Sequence, residues 1–306
     1  MLHIKSLEEG LNIFKALGSE IRVEIIKILL KSDGMNMNEL AQHLKITNGA
    51  LTSHIRKLEE AGLISVVNET ASHGNQKKCS VLLDKILIDF EPQTENANIF
   101  NASVKVGHYS DFQVTPTCGL ASATNMIGEM DDVRYFAHPD HYEADILWFT
   151  QGYVEYMIPN FIPPAQKIDQ IAISMEICSE APSFNPNWPS DISFYLNDVK
   201  IGSWISPGDF GDVPGTFTPT WWLSSLNQYG LLKFLIINDK GTFIDGKQIS
   251  DVGIRSFNLT SQSLLRLKLA VEKDAKHVGG LTIFGKNFGN YSQDIDVQIS
   301  YSAIEG

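Results

Sequence analysis

Five side chains near residue 50 have the types and spacing to read a nucleic acid. Asn48, Thr52, Ser53, Arg56 and Lys57 lie in the stretch ITNGALTSHIRKLEEAGLI, residues 46–64. Leu51, Ile55 and Leu58 recur there at helical spacing, so they form an apolar stripe and leave the polar groups on the opposite side. Amides and hydroxyls pair with base edges and cations with phosphates, a composition suited to the major groove. Thr47 and Asn48 are both candidate N-caps, Gly49 falls in the first turn, and Gly62 fits the left-handed residue just past the end. An ordinary amphipathic surface helix has the same stripe, so the neighbouring elements decide what this one does.

Two other groups carry potential chemistry. Trp188, Trp204, Trp221 and Trp222 are concentrated downstream, near Asp209, Gln228 and Tyr229. Indole rings stack on sugar rings and the polar groups accept hydroxyl hydrogens, so these seven are candidate ligand-binding residues; a sandwich core buries tryptophans equally well. His108, Cys118, His138, His141 and Asp145 supply the right atoms for zinc, but their spacing is not diagnostic and a polar loop accounts for them as well. Cys118 is alternatively a redox sensor if its thiol pKa is lowered. There is no phosphate-cradling glycine loop, no G-x-S-x-G and no H-E-x-x-H. The sequence therefore predicts no catalytic residues, no resident metal and no cofactor, although paired carboxylates cannot be judged from spacing alone.

The elements that must hold the first group precede and follow it. Ser6 and Glu9 form a capping-box pattern for a helix over 6–17, with Leu7, Leu11 and Phe14 on one face. Ser19 caps a second helix to about residue 31, with Ile21, Ile25, Ile28 and Leu29 inward. Met37 or Asn38 opens a short third helix. After Ile64 come two strands joined by a polar tip bearing His73, Lys77 and Lys78. Helix, helix, short helix, turn, helix, hairpin is the order of a winged helix-turn-helix, in which the earlier helices fix the angle of the last so that it enters a groove about 12 Å wide. Thr47, Asn48, Gly49, Thr52, Ser53, Arg56, Lys57, His73, Lys77 and Lys78 are then the candidate DNA contacts.

Charge divides the chain in the same place. Of 24 basic and 36 acidic residues, the first 90 hold eleven of each, so the remainder carries the whole net charge of −12. A neutral module can bind DNA through one basic face, whereas an acidic body repels it. Residues 91–98, EPQTENAN, read as a linker. Beyond them about ten alternating or β-branched runs, with hairpin turns at Asn197-Asp198 and Asp239-Lys240-Gly241, predict an antiparallel sandwich or jelly roll. The fold class is thus multidomain α+β: a winged helix-turn-helix over 1–90 and an all-β effector domain over 99–306. No run of about 18 apolar residues exists, the N-terminus lacks an apolar signal segment, and three scattered cysteines argue against a disulfide framework. A cytoplasmic setting without membrane partners is expected.

Residues from about 10 to 85 resemble the ArsR-type winged-helix repressors. The resemblance rests on the run from Ala16 to Leu30, on NELAQHLKIT over 38–47 and on LTSHIRKLEEAGLI over 51–64. It implies a homodimeric repressor on a near-palindromic double-stranded operator, with Asn48, Thr52, Ser53 and Arg56 touching base or phosphate. Gly49 stands where that family often has proline and Ser53 where an arginine is common, so more of the binding falls to the dimer and the wing. The cysteines that the family's metal sensors carry on the third helix are absent. The runs WISPGDFG (204–211), TPTWW (218–222) and QYGL (228–231) resemble the jelly-roll effector domain of a subset of ArsR-type regulators, which implies a small-molecule effector without naming it. The expected function is ligand-responsive transcriptional regulation, with a small polar ligand such as a carbohydrate. The alternatives are a jelly-roll carbohydrate-binding protein or carbohydrate-active enzyme with a helical dimerisation module, and a metal or redox sensor.

Overall fold

The computed structural model describes residues 2–4, 6–32, 34–71, 74–83, 86–88 and 98–304. Residues 91–97 of the expected linker and His73 of the expected wing tip lie outside them. The chain divides into two compact units, Met1–Asn96 and Ala97–Gly306.

The first unit packs four helices, α1 (Leu11–Leu17), α2 (Glu20–Leu29), α3 (Met37–Leu44) and α4 (Asn48–Glu60), around one apolar cluster. Among the described residues five strands complete it: β1 (Leu2–Ile4), β2 (Met35–Asn36), β3 (Ile64–Ala71), β4 (Gly74–Val81) and β5 (Ile86–Ile88). β3 and β4 form the antiparallel hairpin, β2 pairs with the outer edge of β4, and β1 pairs in parallel with β5. The first helix is shorter than its capping-box pattern suggests. The Glu9 N–H does donate to Ser6 Oγ, at 3.3 Å, but residues 6–10 are turns and Gly10 is the N-cap. α1 buries Ile13 and Ala16, while Leu7, Leu11 and, on α2, Ile21 stay exposed, contrary to the face their spacing suggested. In so short a helix, packing and not periodicity chooses the buried side.

The second unit is antiparallel throughout. Its strands are β6 (Asn98–Val104), β7 (Tyr109–Ala121), β8 (Ile146–Ile158), β9 (Gln166–Cys178), β10 (Ser190–Leu196), β11 (Val199–Ser206), β12 (Leu231–Asn238), β13 (Gly241–Ile244), β14 (Lys247–Ser250), β15 (Leu265–Val271), β16 (Leu281–Phe284) and β17 (Ile295–Ala303). The long strands β8 and β9 share β16 at one end. Beyond it they part, into β8–β15–β10–β11 on one side and β9–β17–β6 on the other, with β7 along β8 and β12–β13–β14 along β9. Ile249 of β14 packs against the position where Gly202 of β11 lacks a side chain, which nearly closes the sandwich into a barrel. The inward residues, among them Phe149, Tyr156, Phe194, Leu267, Ile171 and Ile299, are fully or almost fully buried. Gly152 marks the change of neighbour on β8: its φ is +116° and any Cβ would strike the Gln113 carbonyl of β7. A glycine is therefore required there, and the strand runs through it from Ile146 to Ile158 without a turn.

A candidate nucleic-acid interface on α4

Local chemistry fixes both ends of α4. Thr47, in extended conformation, is the N-cap, and its Oγ1 accepts the Ala50 N–H at 3.3 Å. At the other end Gly62 adopts φ +68°, its N–H donates to the Glu59 carbonyl at 2.9 Å, and the Leu63 N–H donates to that of Leu58 at 3.0 Å. That is a Schellman ending, closed by the buried side chains of Leu58 and Leu63. Between the ends Leu51, Ile55 and Leu58 bury themselves in the cluster with Ile25, Leu29 and Leu40, each contributing roughly 1.5–3 kcal/mol of transfer free energy. α3 is equally fixed. Asn36 Oδ1 accepts the Asn38 and Glu39 N–H groups, and the Glu39 carboxylate accepts the Asn36 N–H, a complete capping box.

Asn48, Gly49, Thr52, Ser53, Arg56 and Lys57 are all exposed along α4, over a length of about 14 Å. Three of them are engaged within the protein. Asn48 Nδ2 donates to Asn38 Oδ1 of α3 at 2.8 Å. Thr52 Oγ1 donates to the Asn48 carbonyl at 2.7 Å, which leaves the hydroxyl oxygen as an outward acceptor. Arg56 Nε pairs with Glu60 at 2.7 Å, with both side chains more than half exposed. Thr47 is a cap, so its hydroxyl serves the helix. A Cβ on Gly49 would meet nothing within 4 Å, so the first turn presents bare backbone. Asn38 and Glu60 escaped the sequence reading. Glu60 was legible as the i+4 partner of Arg56, whereas Asn38 depends on how two helices meet. His54, on the flank of α4, has its pKa lowered by burial and by the nearby Arg22 and Lys57.

The wing does not present its lysines together. Lys77 pairs in register with Asn68 and Lys78 with Val67, so by strand alternation they point to opposite faces of the hairpin. Lys77 shares the face of buried Cys79. Lys78 lies over Gly34, its Cε 2.7 Å from where a Cβ would stand. Of the two, only Lys77 is on the helix side of the wing.

The downstream tryptophans do not form one platform. Trp222 is buried in a satellite core with Trp148, Phe284, Phe288 and Cys178, and its Nε1 donates to the Asn227 carbonyl at 2.8 Å. Asp209 is fully buried; it accepts the Ala181 N–H at 2.9 Å, and burial raises its carboxyl to about 7. Gln228 is buried and donates to the Leu223 and Leu226 carbonyls. These three hold the segment 207–230 onto the end of the sandwich. They are corrected from ligand contacts to supports, because no face of them is open. Trp188 and Trp221 are about one-third exposed, with Trp221 Nε1 donating to the Ala123 carbonyl at 2.8 Å. Trp204 lies under the Lys233 ammonium, 4.6 Å from its ring. Tyr229 stacks on Phe210 and donates to Asp212 at 2.6 Å.

The metal and redox candidates separate as well. Among the described residues no three His, Cys, Asp or Glu side chains converge to hold a metal ion. His141 stacks between Tyr109 and Tyr142, with its Nδ1 2.6 Å from the Gly107 carbonyl. His138 Nδ1 accepts the Asp140 N–H, and Asp145 accepts the Ala123 N–H. His108 packs edge-on against Tyr142. Cys118 is fully buried, and desolvation pushes its thiol up to about 11, the opposite of a reactive thiolate.

Residues 19–65 match the family of winged helix-turn-helix DNA-binding domains. That span covers α2, α3 and α4 and ends as the wing begins. A comparison with curated proteins found no match. The first unit is therefore a winged helix-turn-helix DNA-binding domain, and the chain as a whole is a candidate transcription regulator. Among the described residues no helix is long and apolar enough to cross a membrane.

Proposed function

We propose that this chain is a cytoplasmic, homodimeric, ligand-responsive transcriptional repressor of the ArsR type. The observation that carries the reading is the exposed polar stripe of α4, from Asn48 to Lys57, on a helix whose other side is wholly buried. Asn48 and Thr52 meet base edges, and Ser53, Arg56 and Lys57 meet phosphate or guanine. Lys77 of the wing reaches the flanking backbone. Two copies then read half-sites about one helical turn apart.

The β-unit is the effector domain in this reading. Its ligand is small and polar, such as a carbohydrate, taken up beside the exposed rings of Trp188 and Trp221 and near Tyr229. Ligand binding favours a dimer geometry that no longer matches both half-sites, a population shift. A mobility-shift assay on the DNA upstream of its own gene tests the first part. The expected outcome is a shift that weakens with salt and is weaker with Arg56→Ala; absence of any shift at low salt contradicts it. A sugar panel read by tryptophan fluorescence tests the second, and silence from every sugar removes the carbohydrate assignment.

A further inference from the structure

The bond between α3 and α4 has a consequence for specificity. A side-chain amide is nearly symmetric in shape but not in chemistry, since a half-turn about its last torsion exchanges a carbonyl for an amino group. An unrestrained Asn48 at the start of α4 therefore offers a groove either a donor or an acceptor, and discriminates weakly between base edges. Here Asn48 is restrained. Its Nδ2 donates to Asn38 Oδ1 at 2.8 Å, so the amino group faces α3 and Oδ1 faces away from it. Both backbones behind the pair are fixed. Asn38 sits inside the capping box of α3, its own N–H bonded to Asn36 Oδ1 at 3.0 Å. Asn48 follows the Thr47 cap, and its carbonyl accepts the Thr52 hydroxyl.

We propose that Asn38 is a positioning residue for base selection: by holding one amide hydrogen of Asn48, it makes that side chain present Oδ1 and its remaining N–H outward, the pair that matches N6–H and N7 of adenine in the major groove. The inference rests on the DNA-binding reading of α4 and adds to it a specificity determinant on a helix that need not touch a base. It assigns Asn48 to an adenine in each half-site and explains why an otherwise solvated asparagine stands at the second residue of α3.

Selection from a pool of random-sequence duplexes tests it, using the full chain and its Asn48→Ala, Asn38→Ala, Asn38→Asp and doubly substituted (Asn38→Ala, Asn48→Ala) forms. Thermal melting of each variant shows that the fold is kept. The natural chain is expected to recover a half-site with one adenine preferred about tenfold or more, and Asn48→Ala to lose that preference. Asn38→Ala should lose the same preference at the same position, with the double variant no worse than Asn48→Ala. Asn38→Asp, which can only accept, should keep the adenine while binding all sequences more weakly through its added negative charge. The proposal is overturned if Asn38→Ala keeps the adenine, if it weakens all sequences alike, or if Asn38→Asp behaves as the alanine variant does. Recovery of no sequence by the natural chain overturns the DNA-binding reading itself, and the role of Asn38 with it.

Discussion

The exposed stripe of α4 and the tryptophan-rich end of the β-unit both drew attention by composition, yet they are built in opposite ways. On α4 the apolar residues are buried and the polar ones stand in solvent, ordered by short-range bonds: Thr52 to the Asn48 carbonyl, Asn48 to Asn38, Arg56 to Glu60. At the end of the sandwich the order is reversed. Trp222, Asp209 and Gln228 are inside, and Trp188 and Trp221 keep only part of their surface exposed. Residue types that could bind a ligand do so only if a face is open, and helical periodicity tells which face is open in a way that a loop sequence cannot.

The largest expected effect tests the buried half of that contrast. Trp222→Ala should cost the β-unit roughly 3–5 kcal/mol in denaturant unfolding, and Trp221→Ala, with its ring part-exposed, clearly less. Equal costs would mean that the two rings do not differ as described.

Asp209 sharpens the same point through pH. Its carboxyl is raised to about 7 by burial, and burial with the neighbouring Asp209 also pushes Glu180 upward. Among the described residues no Lys or Arg forms an ion pair with either. A carboxyl raised in the folded state holds its proton there after the unfolded chain has lost it, so stability falls as pH climbs from the ordinary carboxylate range to about 7. Asp209→Asn removes that slope. The variant should gain on the natural chain by on the order of 2 kcal/mol between about pH 5 and pH 8, measured as the difference between their unfolding free energies. A difference independent of pH would place Asp209 in solvent.

On α4 the effects are smaller and appear in binding. Glu60 competes with phosphate for Arg56, and an exposed pair of this kind is worth about 0–1 kcal/mol. Glu60→Gln should therefore tighten DNA binding by up to about fivefold and steepen its salt dependence, and weaker binding would show that Glu60 supports the interface. Smallest of all is Gly49→Ala. A helical glycine with open space around it gains roughly 0.4–1 kcal/mol of stability as alanine. Loss of DNA affinity alongside that gain would show that DNA approaches the bare first turn.

Much of the first unit was legible because its signals are local. The Leu51–Ile55–Leu58 stripe, the Thr47 cap and the left-handed Gly62 all sit where short-range rules put them. Leu11 and Ile21 misled because helices as short as α1 and α2 take their buried faces from their neighbours. In the β-unit the Asn197-Asp198 turn has positive φ at both residues, as its sequence suggests. The Asp245-Gly246 turn between β13 and β14 carries the same signature. β7 carries no clear strand signal for a physical reason: YSDFQVTPTCGLA is polar and contains Pro116, which the strand accommodates at a register shift between Thr115 and Cys118. The partners of the candidate interface, Asn38 above all, depend on helix–helix contact, and no periodicity in the chain announces them.

The most direct test of the central claim, that the exposed stripe of α4 is a DNA interface, is the salt dependence of binding to upstream DNA, compared between the natural chain and Arg56→Ala. The account predicts that the natural chain binds at low salt with a steep log–log slope, and that the variant binds more weakly with the slope reduced by about one counterion. Equal affinity and equal slope for the two proteins, or no binding by either at low salt, would contradict it.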